Sequence, residues 1–139
     1  MRLTSFTDYG LRMLMRMASA PDRAFSTAEL ADEFELSRNH LSKIVQQLAR
    51  AGIVETRRGG GGGARLARPA SELLLGQVIA VLEADQALVE CFGPGPNRCT
   101  IDAQCRLKAR LRSAERAFID DLNRSTLADI ALPELQNVG

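Results

Sequence analysis

Apolar residues recur at helical spacing in the first third of the chain. Phe6, Tyr9, Met13, Leu14 and Met17 place one apolar stripe on a helix from Ser5 to about Ala18. Ser5-Phe6-Thr7-Asp8 fits a capping box at its start, and Pro21-Asp22 marks the break after it. A second helix opens at Ser26 or Thr27, with Ala28, Leu30, Ala31 and Phe34 facing inward. Glu35-Leu36 leaves room only for a tight turn. Ser37 then caps a third helix whose stripe is Leu41, Ile44, Val45 and Leu48, and Gly52 ends it.

Two helices joined by a short turn, the second polar and basic on its outer face, make a helix-turn-helix pattern. The second helix, from Ser37 to Ala51, is expected to lie in a major groove with its N-terminal residues at base edges. Ser37, Arg38, Asn39, His40 and Lys43 are the candidates there, with Ser42 and Gln46 weaker ones. Arg can read guanine and Asn can read adenine.

Alternation then replaces helical spacing. Ile53-Val54-Glu55-Thr56 reads as a strand and Ala64-Arg65-Leu66-Ala67-Arg68 as its return, with Arg57-Arg58 and the glycines Gly59 to Gly63 between them. A hairpin directly after a helix-turn-helix is a wing. Arg57, Arg58 and Arg65 are placed to meet phosphates or the minor groove. A phosphate-cradling enzyme loop is the rival reading of the glycines. It requires Lys-Ser or Lys-Thr after them, or the spaced Rossmann pattern, and neither is present.

Leu73 to Leu82 is apolar enough for a short buried helix that closes this domain. From Cys91 to Cys99 the chain holds two Gly, two Pro and an Asn, which predicts a loop with little core of its own. Leu107, Leu111, Ala114, Phe118 and Leu122 then define one long helix from about Asp102 to Asn123, on the order of 30 Å. Such a stripe beside so small a domain lacks enough core to cover it. A coiled-coil-like homodimer is the expected solution, and packing back onto its own domain is the alternative. Ser125 to Ile130 suggests a short terminal helix, with a frayed tail after Pro133.

The expected fold is therefore mainly α with a small β-hairpin. A winged helix-turn-helix DNA-binding domain occupies 1–84, with the wing at about 53–68. A cysteine-bearing loop follows at 85–105, then a dimerisation helix and C-terminal tail at 106–139.

Composition narrows the classes. At 139 residues the chain makes one domain, or one small domain with an appendage. With 45% apolar and 25% charged residues it is not a disordered chain. No run approaches the ~18 apolar residues that crossing a membrane needs. The N-terminus carries no secretory pattern, so a cytoplasmic protein is expected. The net charge of +1 suggests no partner, but its distribution does. Met1 to Arg68 carries 11 Lys/Arg against 7 Asp/Glu, and Pro69 to Gly139 carries 7 against 10. From Ser37 to Arg68 seven cations face Glu55 alone. That asymmetry points to an anionic partner such as double-stranded DNA, or else to a merely solvated basic face.

Cys91, Cys99 and Cys105 are the only cysteines, spaced C-x7-C-x5-C. An odd count in a cytoplasmic chain argues against a disulfide framework. Their clustering suggests thiolates around a metal, and a first-turn position on the long helix would favour the thiolate of Cys105. Three ligands are one short of four. The only histidine, His40, lies on the DNA face, which disfavours a single-chain Cys3His zinc site. An iron–sulfur cluster with a non-cysteine fourth ligand fits better, although spacing alone leaves zinc, iron–sulfur and free thiols open.

Several segments in order carry a resemblance. Leu3-Thr4-Ser5-Phe6-Thr7-Asp8-Tyr9-Gly10-Leu11-Arg12, Ser37-Arg38-Asn39-His40-Leu41, Gln47-Leu48-Ala49-Arg50-Ala51-Gly52, the glycine wing and Cys105-Arg106-Leu107-Lys108 resemble the NsrR-type nitric-oxide-sensing repressors. These are a branch of the dimeric iron–sulfur winged-helix regulators, whose relatives include IscR. The resemblance runs from Met1 to about Ile130. It implies a homodimeric repressor of nitric-oxide-detoxification genes, released from its DNA operator when nitric oxide attacks the cluster. It implies that Cys91, Cys99 and Cys105 ligate an iron–sulfur cluster, [4Fe–4S] in preference to [2Fe–2S]. It also implies that Asp8 of the other subunit completes the site. Without the resemblance, Asp8 has plainer roles: part of a cap, or an i,i+4 partner of Arg12. The Gly/Pro-rich cysteine loop and the five consecutive glycines are departures from the pattern. The alternatives are a cluster-biogenesis or redox-responsive regulator of the same fold, a zinc or direct thiol sensor, and a metal or thiol redox enzyme. Against the enzyme, no His, Asp or Lys constellation and no cofactor fingerprint accompanies the cysteines.

Overall fold

The computed structural model of the chain describes residues 1–59 and 63–133. Helix α1 spans Ser5–Ser19 and buries Met13, Leu14 and Met17 of its apolar stripe, while Phe6 and Tyr9 are only half-buried. Its cap is Thr4, not Ser5. The Thr4 side chain accepts the Thr7 N–H at 3.2 Å, while the Thr4 N–H donates to Glu83 Oε1 at 2.7 Å. That bond across 79 residues holds Thr4 extended, which moves the cap back one position. Asp8 is thereby left out of any capping box.

Helix α2 (Thr27–Phe34) is capped by Ser26, and helix α3 (Arg38–Arg50) by Ser37. Between them Glu35 takes a left-handed conformation, φ 55°, so the turn is as tight as two residues allow. Leu41, Ile44, Val45 and Leu48 of α3 are all buried. Strands β1 (Val54–Arg57) and β2 (Gly63–Leu66) pair antiparallel, Val54 opposite Leu66 and Arg57 opposite Gly63. Pairing starts one residue later than the alternation suggests because the Ile53 N–H still bonds the Leu48 carbonyl at 3.0 Å. The return strand stops at Leu66, short of Arg68. Gly60, Gly61 and Gly62 of the wing tip lie outside the described residues, as does the tail beyond Pro133.

Helix α4 (Leu75–Leu82) closes the domain with Leu75, Val78, Ile79 and Leu82 buried. Helix α5 spans Arg106–Leu122 and is shorter than the stripe suggests. Asp102–Gln104 forms a separate 3-10 turn, and the extended backbone of Cys105 interrupts the two. Cys105 is thus the cap residue of α5 and not part of its first turn. Seventeen residues make a helix about 25 Å long. No residue of α5 is fully buried, and Leu107 is 61% exposed. Only the C-terminal end packs home: Asn123 Oδ1, just past it, accepts the Gln77 N–H of α4 at 3.0 Å. A final 3-10 turn, Leu127–Ile130, carries a capping box of Thr126 and Asp129. It returns to the core formed by α1–α4, where Leu127 is wholly buried and its N–H bonds the Leu73 carbonyl at 2.8 Å. No helix among the described residues is long and apolar enough to cross a membrane.

Candidate DNA-binding face and cysteine loop

Helix α3 turns its apolar stripe into the core, so its opposite face must be solvent-exposed. Arg38, Asn39 and Lys43 are exposed there, with Gln46 and Arg50 one and two turns further on. Ser37 is committed locally, its Oγ accepting the His40 N–H at 3.1 Å. His40 differs from the expectation of an exposed reader. Its ring is half-buried against α1, 6.2 Å from Phe6 and edge-on to Tyr9 at 6.1 Å between centroids. Two aromatic rings of α1 offer this imidazole more contact than water does, so it anchors α3 to α1. Gln47, given no role by sequence reasoning, ties α3 to α4 through a 2.6 Å bond from its amide to the Val81 carbonyl.

The wing carries Arg57 at the end of β1 and Arg58 just past it, both exposed. Arg65 lies opposite Glu55 in the hairpin register, and its Nε meets Glu55 Oε1 at 2.6 Å. Its charge is therefore partly neutralised, whereas Arg57 and Arg58, next to the hairpin's turn, and Arg68 past its far end are exposed with no ion pair among the described residues.

The cysteine loop is held by polar contacts rather than by core. Glu90 accepts the Arg98 N–H at 2.9 Å, Asn97 accepts the Cys99 N–H at 3.0 Å, and Lys108 of α5 bonds Asp102 at 2.9 Å. The Arg112 guanidinium sits 4.1 Å over the Phe92 ring. Hydrogen bonding from Lys108 holds the Asp102 carboxyl below its ordinary range, and the same bond raises Lys108. Arg112 was not singled out in the sequence, and Lys108 only within the segment that carries the resemblance, with no role given to it. The six-residue offset of Lys108 from Asp102 crosses a turn boundary, and no helical or strand period marks it.

Cys91, Cys99 and Cys105 are all unpaired, Cys99 exposed and the others half-buried. Among the described residues, no three His, Cys, Asp or Glu side chains converge where they could hold a metal ion. Three accessible sulfur donors on one loop nonetheless fit an iron–sulfur cluster in kind, since thiolate is its preferred ligand. Asp8 lies on an exposed face of α1, paired with Arg12.

Residues 3–132 match the Rrf2 family model, described as an iron-dependent transcriptional regulator. Solved structures with the same fold include the oxidised form of CymR from Staphylococcus aureus, with 30% identity over 94% of this chain and 96% of that one, TM-score 0.67. CymR from B. subtilis, named as its global cysteine regulator, is 27% identical over 94% and 96%, TM-score 0.68. IscR from T. potens shares the fold at TM-score 0.70, with 24% identity over 94% of this chain and 85% of that one.

Proposed function

The chain belongs to the Rrf2 family of transcriptional regulators, and on that footing we propose that it is a homodimeric repressor that reads nitric oxide through an iron–sulfur cluster. As a member it is a DNA-binding regulator and not an enzyme. The observation that carries the finer reading is the set of three unpaired thiols on one polar loop leading directly into α5. Cys91, Cys99 and Cys105 would hold the cluster, with Asp8 of the partner subunit as the fourth ligand. When bound, the cluster would supply thiolate-ligated iron that nitric oxide attacks directly.

The chain's own residues do the rest. The stripe of α5, with Leu107 exposed and Leu111 half-buried, is the face for a second copy, since burying one leucine is worth roughly 1.5–3 kcal/mol. Arg38, Asn39 and Lys43 of α3 meet base edges, and Arg57, Arg58 and Arg65 meet phosphates. The α1 helix carries both Asp8 and the aromatic residues that hold His40, so whatever displaces α1 displaces α3. Two α3 helices must stand about one DNA turn apart, ~34–36 Å, to bind both half-sites. A coupling of ~1–3 kcal/mol through α1 would change operator affinity ~5–150-fold.

Iron, acid-labile sulfide and zinc per chain, measured on protein purified without oxygen, test this directly. About four irons and four sulfides, with DNA released on nitric oxide addition, is the expected result. Two of each, unresponsive to nitric oxide, would favour a biogenesis-type or redox signal. Iron-free protein would favour direct thiol sensing, a second reading that the unconverged cysteines support.

A further inference from the structure

Phe25 lies in the link between α1 and α2, before the helix-turn-helix begins. It nevertheless belongs to the wing. Its N–H and carbonyl each bond Ala64 of β2, both at 2.8 Å. Ala64 also stands opposite Thr56 of β1. Strand β2 therefore has a neighbour on each side. A lone hairpin is marginal in water, and the third segment is what can hold this one at a set angle. Gly63 sits at the junction with φ +139°, and a Cβ there would overlap the Phe25 carbonyl. Gly63 is required by this contact, whatever the other glycines do.

The Phe25 ring is fully buried, yet guanidinium groups cover it. Arg16 lies 5.0 Å and Arg23 4.4 Å from its centroid. Each is tied to α2. Arg16 Nε reaches both carboxylate oxygens of Glu33 at 3.1 and 3.3 Å, and Arg23 pairs with Glu29. Arg16 also bonds Ser19 Oγ at 3.0 Å. Its side chain is only 12% exposed, so it is shielded from any phosphate and its interactions are little screened. A cation over an aromatic face, held there by a carboxylate, fixes the ring in place. The ring fixes the backbone that pairs with Ala64.

We propose that Arg16 is a positioning residue for DNA binding: acting through Phe25, it sets where the wing arginines Arg57 and Arg58 stand, without touching DNA itself. This rests on the reading of those arginines as phosphate contacts, and the test separates the two.

The probe is a random-sequence duplex, with affinity measured by fluorescence anisotropy over a range of salt. Folding of each variant is checked by its thermal melt. Arg57→Ala/Arg58→Ala is expected to weaken binding about tenfold and to lower the salt slope by about 2, one per lost phosphate. Arg16→Met should weaken binding in the same direction and lower the slope, and should add nothing to the wing double variant. Arg16→Lys, which keeps a cation over the ring, should restore most of the affinity. Gly63→Ala approaches the same seat from the wing side and should mimic Arg16→Met, even where Arg16→Met does not fold. An Arg16→Met effect that adds in full to the wing variant would overturn the proposal, as would normal binding by Gly63→Ala. Unchanged binding by Arg57→Ala/Arg58→Ala would remove the wing reading itself, and the proposal with it.

Discussion

Asp8 and Arg12 form a two-pronged ion pair one turn apart on α1, Nε to Oδ1 and Nη2 to Oδ2, each at 3.0 Å. Arg12 also lies 5.1 Å over the ring of Tyr9, which meets His40 edge-on. The carboxylate proposed as a ligand for the partner's cluster is thus connected, through one guanidinium and one phenol, to the start of the recognition helix. Both members of the ion pair are about half exposed, so the pair itself contributes little to stability.

Asp8→Ala should therefore leave the fold intact, costing ~0.2–0.5 kcal/mol by thermal melt. It should change the visible spectrum of anaerobically loaded protein, or its rate of reaction with nitric oxide. Spectra and rates identical to the unmodified protein would remove Asp8 from the site.

Arg38→Ala and Asn39→Ala should each lose ~1–3 kcal/mol of discrimination between operator and random DNA. The ratio of the two affinities is the quantity to measure. A uniform fall on both sequences would make these residues phosphate contacts instead.

Gly76 permits a close approach between α4 and α5. A Cβ there would overlap the Ile119 carbonyl and the Asn123 amide. Gly76→Ala should destabilise the protein by ~1–3 kcal/mol, since backbone cannot yield as a side chain can. It should also tilt α5, which sedimentation would register as a weakened dimer. An unchanged melt and an unchanged dimer would mean that the α4–α5 contact is not needed.

Lys108→Met should free the cysteine loop from α5. Loss of this half-buried ion pair should make the thiols of metal-free protein alkylate faster. Asp102 is lowered from 3.8 and Lys108 raised from 10.5, each by the bond to the other. The pair's contribution is lost only as pH falls through the lowered carboxylate value or rises through the raised ammonium value. Opening of the loop should accordingly show no step across the neutral range, and one there would point to a different anchor.

The local features of this chain were legible in its sequence. Leu41, Ile44, Val45 and Leu48 fall on one face of α3 by spacing alone, and the structure buries all four. Ser26 and Ser37 cap their helices as short polar side chains do before an apolar run. The Gly/Pro content of 91–99 left that segment no regular helix to form, beyond one 3-10 turn at Glu90–Phe92.

The departures share a cause, which is a partner far along the chain. Thr4 displaces Ser5 as the cap because Glu83 holds its N–H. His40 turns from the solvent to α1 because Phe6 and Tyr9 are there. Phe25, in a stretch with no period at all, becomes the seat of the wing because Ala64 and two arginines converge on it. Leu127 returns to the core beside α4, where its N–H meets the Leu73 carbonyl. Periodicity reports which face of an element is apolar; it carries no information on what that face meets. By itself the sequence determined the elements, their order, and the residue types available for DNA and for a metal. Only the tertiary structure decided which side chains are spent holding the elements to one another, because each such contact joins segments that no local pattern relates.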